Sequence, residues 1–148
     1  MCIRDSLDTI QHYKMKKTIW ITGGSTGIGK ALAIRFANEG WNVAISARRE
    51  NLLKELSDRY ENISPFPLDV TDKENCKNIF IQVKEKFGEI DICFFSTGTW
   101  DPKKENNIDV EQIENVFKIN FFGTVNSIKA VEEYYLSLIH ISEPTRPY

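Results

Sequence analysis

The chain has 148 residues, with 19 basic against 21 acidic side chains and a formal net charge of −2. This length allows one domain with its own core, and the near-neutral balance gives no electrostatic reason for binding nucleic acid or an anionic membrane surface. No apolar run reaches the roughly 18 residues that span a bilayer, and the start of the chain lacks the apolar stretch of a secretory signal. The cysteines, Cys2, Cys76 and Cys93, are scattered, which predicts a reducing cytoplasmic location and no metal cluster.

The two ends of the chain do not follow the pattern of its interior. Residues 1–6 (MCIRDS) and the stretch that begins at residue 136 (LSLIHI) are encodable by one DNA element read in opposite orientations. We therefore expect residues 1–6 and 136–148 to be translated sequencing adapter. Met15 is the expected natural start, residues 7–14 are an extension of uncertain origin, and residues 15–135 are expected to be the N-terminal part of a larger domain.

The interior alternates short apolar runs with amphipathic segments. The predicted elements, in chain order, are a strand Thr18–Ile21, a helix Gly27–Glu39 stopped by Gly40, a strand Asn42–Ser46, a helix Glu50–Tyr60 and a strand Ile63–Leu68. A further helix is predicted to be capped by Thr71 with Glu74 reaching back, and to end at Phe87-Gly88. A strand Ile90–Phe95 and a long helix from Asp109 or Val110 follow. This alternation predicts an α/β fold with a parallel sheet covered on both faces.

A glycine-rich turn, Thr22-Gly23-Gly24-Ser25-Thr26-Gly27-Ile28-Gly29, follows the first strand and opens the first helix. Glycine lets a phosphate approach the backbone closely, and a helix N-terminus offers free N–H groups to a pyrophosphate. Two phosphate-binding motifs compete here. A P-loop fits Gly24 through Lys30, but Ala31 stands where the Mg²⁺-binding hydroxyl belongs. A dinucleotide-binding turn fits the strand-to-helix position, although the common G-x-G-x-x-G spacing is not met.

The spacing Thr-Gly-x-x-x-Gly-Ile-Gly in this position resembles the classical short-chain dehydrogenase/reductase family, and the resemblance runs from about Lys16 to Tyr134. It implies a Rossmann-like doubly wound parallel sheet, here incomplete, with about the first four strands. It also implies hydride transfer between NADP(H) and a carbonyl or alcohol substrate. The residues that would surround the cofactor pyrophosphate and nearby ribose are Gly23, Ser25, Thr26, Gly27, Ile28 and Gly29. A P-loop-like nucleotide-binding protein and a non-catalytic dinucleotide-binding module are the alternatives.

Further cofactor contacts are implied at the ends of the next strands. Arg48 follows the second strand about twenty residues beyond the turn, where an arginine suits the 2′-phosphate of NADP and an acidic residue would suit NAD. NADP is therefore favoured over NAD. Asp69-Val70 resembles the family's Asp-hydrophobe pair, whose carboxylate contacts the adenine amino group. Gly98 is retained from the family's Asn-Asn-Ala-Gly, where this chain reads Phe95-Ser96-Thr97-Gly98.

Asn120 lies within a predicted helix, where asparagine has a poor intrinsic propensity and needs a local reason such as a distortion or a polar partner. The segment resembles the family's Asn-x-x-Gly helix, in which the asparagine carbonyl holds a water of the proton relay. Asn120 is thus the one implied member of the catalytic machinery in this chain.

The family's catalytic Tyr-x-x-x-Lys is not found in the matching part of the chain, and the spacing occurs only from Tyr13 to Lys17, before the first strand. We therefore expect an inactive cofactor-binding fragment of a cytoplasmic oxidoreductase. The complete protein is expected to act on a small carbonyl or alcohol and to form a homo-oligomer, without nucleic-acid or membrane partners.

Overall fold

A computed structural model describes residues 16–100 and 108–142, with side chains up to residue 139. The strands are β1 Thr18–Thr22, β2 Asn42–Ser46, β3 Ile63–Pro65 and β4 Ile92–Phe95. The helices are α1 Gly27–Asn38, α2 Glu50–Arg59, α3 Lys73–Phe87, α4 Val110–Phe117 and α5 Gly123–Ser142, and a π-helical segment, Lys118–Phe122, joins α4 to α5. Residues 1–15, which include both expected N-terminal segments, Met15 and Tyr13, lie outside the described residues.

The described strands form one parallel sheet in the order β3-β2-β1-β4. Side chains alternate across β1, so that Ile19 and Ile21 pack under α1 and α2 while Trp20 packs under α3 and α5. Both faces of the sheet are therefore covered by helices, which confirms the predicted Rossmann-like, doubly wound architecture. Among the helices of the described segments, none combines the length and apolar character required for a membrane span.

The order of the strands fixes where a ligand can bind. The chain leaves β1 toward β2 and β3 on one side, and returns to β4 on the other side of β1. Loops that follow β1 and β4 therefore diverge at the carboxyl edge of the sheet and leave a crevice between them. The glycine-rich turn, which follows β1, and the Ser96–Gly98 segment, which follows β4, both lie at this edge.

The predicted cap of α3 was wrong. Thr71 does not cap the helix, because its amide and its hydroxyl both donate to Asp69 Oδ1, at 2.9 and 2.8 Å. Asp72 is the N-cap instead, and its Oδ1 accepts from the amide of Asn75 at 3.0 Å. The predicted helix end at Gly88 is confirmed, with φ of +79°.

Two strands are shorter than predicted. Regular β3 ends at Pro65, although the amide of Phe66 still donates to the carbonyl of Ile45 in β2, at 2.8 Å, and that of Leu68 to the carbonyl of Ala47 just after β2, at 3.0 Å. β4 begins at Ile92. Just before it, the side chain of Asp91 accepts from the amide of Thr18 at 2.7 Å, so that a carboxylate takes an amide at the start of β1. The backbone of Ile90 bonds to tyrosine hydroxyls: its N–H donates to Tyr134 at 3.1 Å and its carbonyl accepts from Tyr135 at 3.0 Å.

Candidate functional site

A cleft of about 890 Å³ opens at the carboxyl edge of the sheet, where the loops after β1 and β4 diverge. Nine of the ten residues predicted to contact a cofactor line it: Gly23, Ser25, Thr26, Gly27, Ile28, Arg48, Asp69, Val70 and Gly98. Segments separated by up to about half the chain therefore meet in one concave surface, as expected for a small-molecule site.

The glycine-rich turn is held in place by β2 and by the segment after β4. The amides of Gly23 and Gly24 both donate to the carbonyl of Ser46, at 2.8 and 3.1 Å. Gly23 has φ of +73°, and a Cβ there would stand 2.7 Å from the carbonyl carbon of Ser96. Because both the backbone conformation and the space require glycine, Gly23 fixes the path of the turn.

The tenth predicted residue, Gly29, has a packing role. It is buried behind the turn, where a Cβ would lie 2.3 Å from the carbonyl oxygen of Gly23, and it is not among the residues that line the cleft. Its glycine lets α1 pass directly over the turn, which aims the start of the helix at the cleft.

The N-terminus of α1 faces the cleft through Thr26, Gly27 and Ile28. Thr26 is the N-cap residue, and its side chain makes no capping hydrogen bond. The first amides of a helix have no partner within the helix, and the helix dipole adds partial positive charge. Gly27 has φ of +56°, and a Cβ added to it would meet no other atom within 4 Å. This end of α1 is thus open and chemically suited to an anionic group.

Two arginines, Arg48 and Arg49, follow β2 and line the cleft. Arg49 Nη2 donates to the hydroxyl of Thr26 at 2.9 Å and to that of Ser25 at 3.4 Å, so it lies against the glycine-rich turn. Arg48 also lines the cleft, and its charge helps to lower the pKa of Asp69. Two permanent positive charges therefore lie at the cleft.

Asp69 is an ionised acceptor on the cleft wall. Partial burial works to raise the pKa of Asp69, but the two hydrogen bonds from Thr71 and the charges of Arg48 and Lys118 outweigh burial and lower it. Both Thr71 donors use Oδ1, and Oδ2 has no hydrogen-bond donor among the described residues. The carboxylate can therefore accept a hydrogen bond from a bound ligand.

The lowered pKa of Asp69 gives a prediction for acid stability. The carboxylate stabilises the fold fully above its ordinary pKa of 3.8, and the contribution is lost as the pH falls through the lower, folded-state pKa. We expect Asp69→Asn to weaken the decline in unfolding free energy below about pH 4, measured by urea unfolding at a series of pH values. Thr71→Val keeps the hydrogen bond from the backbone amide to Asp69 and removes the one from the hydroxyl, so its unfolding free energy should show an intermediate dependence on pH. An unchanged acid dependence in Asp69→Asn would contradict the assignment.

The segment after β4 departs from the family pattern but keeps a polar connection to the turn. The amide and hydroxyl of Ser96 both donate to the carbonyl of Thr22, at 3.1 and 2.9 Å. Phe95 instead points into the core, with its ring edge-on to Trp20 at 6.1 Å. Thr97 lines the cleft, and its Oγ1 is buried without a hydrogen-bond partner among the described residues.

Asn120 lies in the π-helical segment, and its side chain makes a paired contact with the segment after β4. Its Oδ1 accepts from the amide of Thr99 at 2.7 Å, and its Nδ2 donates to the carbonyl of Thr99 at 3.0 Å. Its own carbonyl accepts from the hydroxyl of Thr124 at 2.7 Å. The helix thus has both the distortion and the polar partner that an internal asparagine suggested. Asn120 itself does not line the cleft, whereas its neighbour Ile119 does.

Sequence reasoning missed several cleft residues, each of which lies within three positions of one that it found. These residues are Ala47, Arg49, Leu68, Ser96, Thr97, Thr99 and Ile119. Their position at the carboxyl ends of parallel strands, or beside Asn120, was the available signal.

The tyrosines of α5, Tyr134 and Tyr135, pack against the hydrophobic core and do not face the cleft. Tyr134 packs edge-on against Phe80 at 5.6 Å, and both Tyr134 and Tyr135 bind the backbone of Ile90. Burial, together with Cys93, raises the pKa of Tyr135 far above its usual range. Neither hydroxyl is placed to exchange a proton with a ligand in the cleft.

Comparison with known proteins gives a consistent picture. Residues 17–139 match a family model described as short chain dehydrogenase. An uncharacterized oxidoreductase of Staphylococcus saprophyticus is 35% identical over 120 residues, which cover 78% of this chain and 51% of the relative. A diacetyl reductase, (S)-acetoin forming, of Staphylococcus epidermidis is 30% identical over 126 residues, covering 82% of this chain and 49% of the relative. The chain spans about half the length of the curated relatives it matches.

Solved structures show the same likeness in three dimensions. ElxO with NADP bound superposes with a TM-score of 0.74 at 29% identity, over 84% of this chain and 52% of that protein. Serine dehydrogenase from Escherichia coli gives a TM-score of 0.72 at 25% identity, over 78% of this chain and 55% of that protein. In both cases the matched part is again about half of the solved chain.

Proposed function

The chain belongs to the short chain dehydrogenase family, and on this premise we propose that it is the cofactor-binding half of an NADP(H)-dependent oxidoreductase. The complete protein would transfer hydride between NADP(H) and a small carbonyl or alcohol. The observation that carries the proposal is the cleft at the β1–β4 crevice, into which the glycine-rich turn and the open N-terminus of α1 both project.

The cleft fits a dinucleotide by the chemistry of its walls. The uncapped end of α1, with open space around Gly27, suits a pyrophosphate. The ionised Asp69 suits an exocyclic amine, and the buried Thr97 hydroxyl that lacks a partner among the described residues suits a further hydrogen-bonding group. These three features point to one elongated ligand with an anionic centre.

We assign the contacts as follows. Gly23, Ser25, Thr26, Gly27 and Ile28 would hold the pyrophosphate and nearby ribose, while Gly29 would support them by packing. Asp69 and Val70 would hold the adenine, and Gly98 would border the cofactor where close backbone approach is needed. When bound, NADP(H) supplies or accepts the hydride.

Preference for NADP over NAD rests on the residues at the end of β2. Arg48 lines the cleft, and the preceding Ser46 and Ala47 provide no carboxylate to bind a free ribose diol. The similarity to a structure with NADP bound supports the same preference.

Asn120 is the proposed catalytic-relay residue of this half. Both polar atoms of its side chain bond to the backbone of Thr99, so the side chain is not available for the relay. Its backbone carbonyl accepts a hydrogen bond from the hydroxyl of Thr124. In the complete protein this carbonyl would hold a water of the proton relay. The two contacts to Thr99 would fix its position.

We expect this chain to bind NADPH without turning it over. No Tyr-x-x-x-Lys lies within the matched residues 17–139, so the group that would exchange a proton with the substrate is not supplied there. Saturating NADPH should protect against thermal unfolding, by about 2.7 kcal/mol at a hundredfold excess over Kd. NADPH absorbance should not fall with a panel of aldehydes and ketones beyond a boiled control. Turnover above that control would overturn the expectation of an inactive half.

Nucleotide protection also separates the alternatives. A P-loop protein would be protected by Mg²⁺ with ATP and not by NADPH. A non-catalytic module would bind NADPH as expected here, and the gene beyond residue 135 would then encode no Tyr-x-x-x-Lys. Absence of protection by any of these nucleotides would contradict the proposed function.

Exposed apolar side chains support an assembly in the complete protein. Phe117 in α4, Phe121 in the π-helical segment and Ile128 in α5 are 59%, 57% and 49% exposed. β4 pairs with β1 alone among the described strands. We propose that later segments of the complete protein, and a second copy of it, cover these surfaces. The free thiols of Cys76 and Cys93 support a reducing, cytoplasmic location.

A further inference from the structure

The segment that follows β3 brings Asp69 and Val70 to the cleft, and a side chain of α5 binds its backbone. Nδ2 of Asn126 donates to the carbonyl oxygen of Val70 at 3.0 Å, from 56 positions further along the chain. Asn126 is not among the residues that line the cleft, whereas Val70 and Asp69 are. Asn126 can therefore affect a bound ligand only through the segment that it holds.

The first turn of α5 packs directly on Val70. Gly123, the first residue of the helix, is buried, and a Cβ there would lie 2.5 Å from Cγ2 of Val70. Glycine thus lets the helix approach this side chain closely. Asn126 follows three positions later, on the same face of the helix, and supplies a polar contact to the same residue.

The other hydrogen bonds of this segment come from residues that are near in the chain. Asp69 Oδ1 accepts from the amide and the hydroxyl of Thr71, at 2.9 and 2.8 Å. Sγ of Cys76 lies 3.6 Å from the carbonyl oxygen of Val70, and a thiol is a weak donor. These contacts shape the turn locally, whereas the bond from Asn126 fixes the turn against a distant helix.

The carbonyl of Val70 depends on this donor. Val70 is only 4% exposed, so a carbonyl that lost its partner there would be poorly hydrated and the segment would shift to satisfy it. Asp69 precedes Val70 directly, and such a shift would move its carboxylate. Asparagine also has a poor helix propensity, and the half-buried Asn126 offsets this cost through its contact with Val70.

We propose that Asn126 is a positioning residue of the cleft: through the carbonyl of Val70 it sets the place of the Asp69 carboxylate, and thereby the preference of the cleft for a base with an exocyclic amine. This inference rests on the proposed function, in which Asp69 and Val70 hold the adenine. Because Asn126 acts at one end of the ligand, its effect is confined to recognition of the base.

The test uses two cofactors that differ only at the base. NADPH carries an exocyclic amine, and reduced nicotinamide hypoxanthine dinucleotide phosphate carries a carbonyl oxygen in its place, which would face the Asp69 carboxylate as a second acceptor. Dissociation constants of both are measured by nicotinamide fluorescence for the wild type, Asn126→Leu and Asn126→Asp. We expect the wild type to prefer NADPH by about tenfold or more.

Both Asn126 variants should lose preference for NADPH. Asn126→Leu keeps the size of the side chain and removes the donor, and we expect it to lower the ratio of the two dissociation constants by at least about threefold. Asn126→Asp places an acceptor against the carbonyl of Val70 and should lower the ratio further. Asn78→Asp is the matched control, because Asn78 is exposed on α3 and the substitution adds the same charge. It should keep the wild-type ratio.

The ratio separates positioning from stability, since a general weakening of the fold affects both cofactors equally. An unchanged ratio in the two Asn126 variants would show that Asn126 only stabilises the fold and would overturn the inference alone. The same fall in Asn78→Asp would assign the effect to charge and also contradict it. If the wild type binds neither cofactor, the proposed function fails; if it binds both equally, the adenine assignment fails. In either case this inference fails with it.

Discussion

Gly23→Ala is expected to destabilise the chain by about 2–5 kcal/mol and to abolish dinucleotide binding. The backbone at Gly23 has φ of +73°, and a Cβ would stand 2.7 Å from both the carbonyl carbon and the oxygen of Ser96. Neither neighbour is a flexible side-chain end, so the strain cannot be relieved by a rotamer change. The turn would have to leave its hydrogen bonds to Ser46, and the N-terminus of α1 would move with it.

Gly40→Ala is the matched control for the backbone term. Gly40 also has a positive φ, of +83°, but a Cβ there would meet nothing within 4 Å. It should therefore cost only the left-handed conformation, about 1–2 kcal/mol, and leave NADPH binding unchanged. Urea unfolding followed by circular dichroism measures both variants. Equal destabilisation by the two substitutions would show that contact with Ser96 does not constrain the turn.

Trp20→Ala is expected to cost about 3–5 kcal/mol, because it empties the centre of the core under α3 and α5. Trp20 is fully buried, and its ring lies 5.6 Å from that of Phe80 and 6.1 Å from that of Phe95. Its Nε1 donates to Ser46 Oγ at 2.9 Å, inside the protein. Trp100→Ala, where the side chain is 65% exposed, should stay within about 0.5 kcal/mol of wild type.

A pair of variants separates the hydrogen bond of Trp20 from its packing. Trp20→Phe keeps an aromatic ring but leaves the buried Ser46 hydroxyl without its donor, at a cost of about 1–3 kcal/mol in addition to the lost contact area. Adding Ser46→Ala to Trp20→Phe should recover part of this loss, because the unsatisfied hydroxyl is removed as well. Additive effects of the two substitutions would contradict a hydrogen bond between them. The free energies come from the same urea unfolding measurements.

Local sequence was a reliable guide where one interaction dominates. β2 has the predicted bounds, and β1 is one residue longer than predicted. Both could be predicted because a run of β-branched and aromatic residues buried on both faces of a sheet is typical of a strand. Gly40 and Gly88 end their helices as predicted, since a positive φ at a helix end strongly favours glycine. The glycine-rich turn could be placed for the same reason.

Local sequence failed to predict the cap of α3 and the start of β4, where groups compete for the same hydrogen-bond partner. Thr71 has the residue type of a helix cap, but Asp69 takes both of its donors, and the cap passes to Asp72. Ile90 continues an apolar run, but the hydroxyls of Tyr134 and Tyr135, more than forty positions away, bind its backbone. Such competition depends on distances that no local pattern encodes.

The sequence by itself determined the family, the alternating architecture and most of the cleft wall, because each of these depends on residue type at a fixed spacing from a strand end. The tertiary structure decided which of those residues meet. It placed Gly29 behind the turn instead of in the cleft, paired Asn120 with Thr99, and brought Arg49 to Ser25 and Thr26. The physical reason is that parallel strands gather their carboxyl ends at one edge. Side chains that are distant in the chain become neighbours there, and only their three-dimensional positions show which ones are in contact.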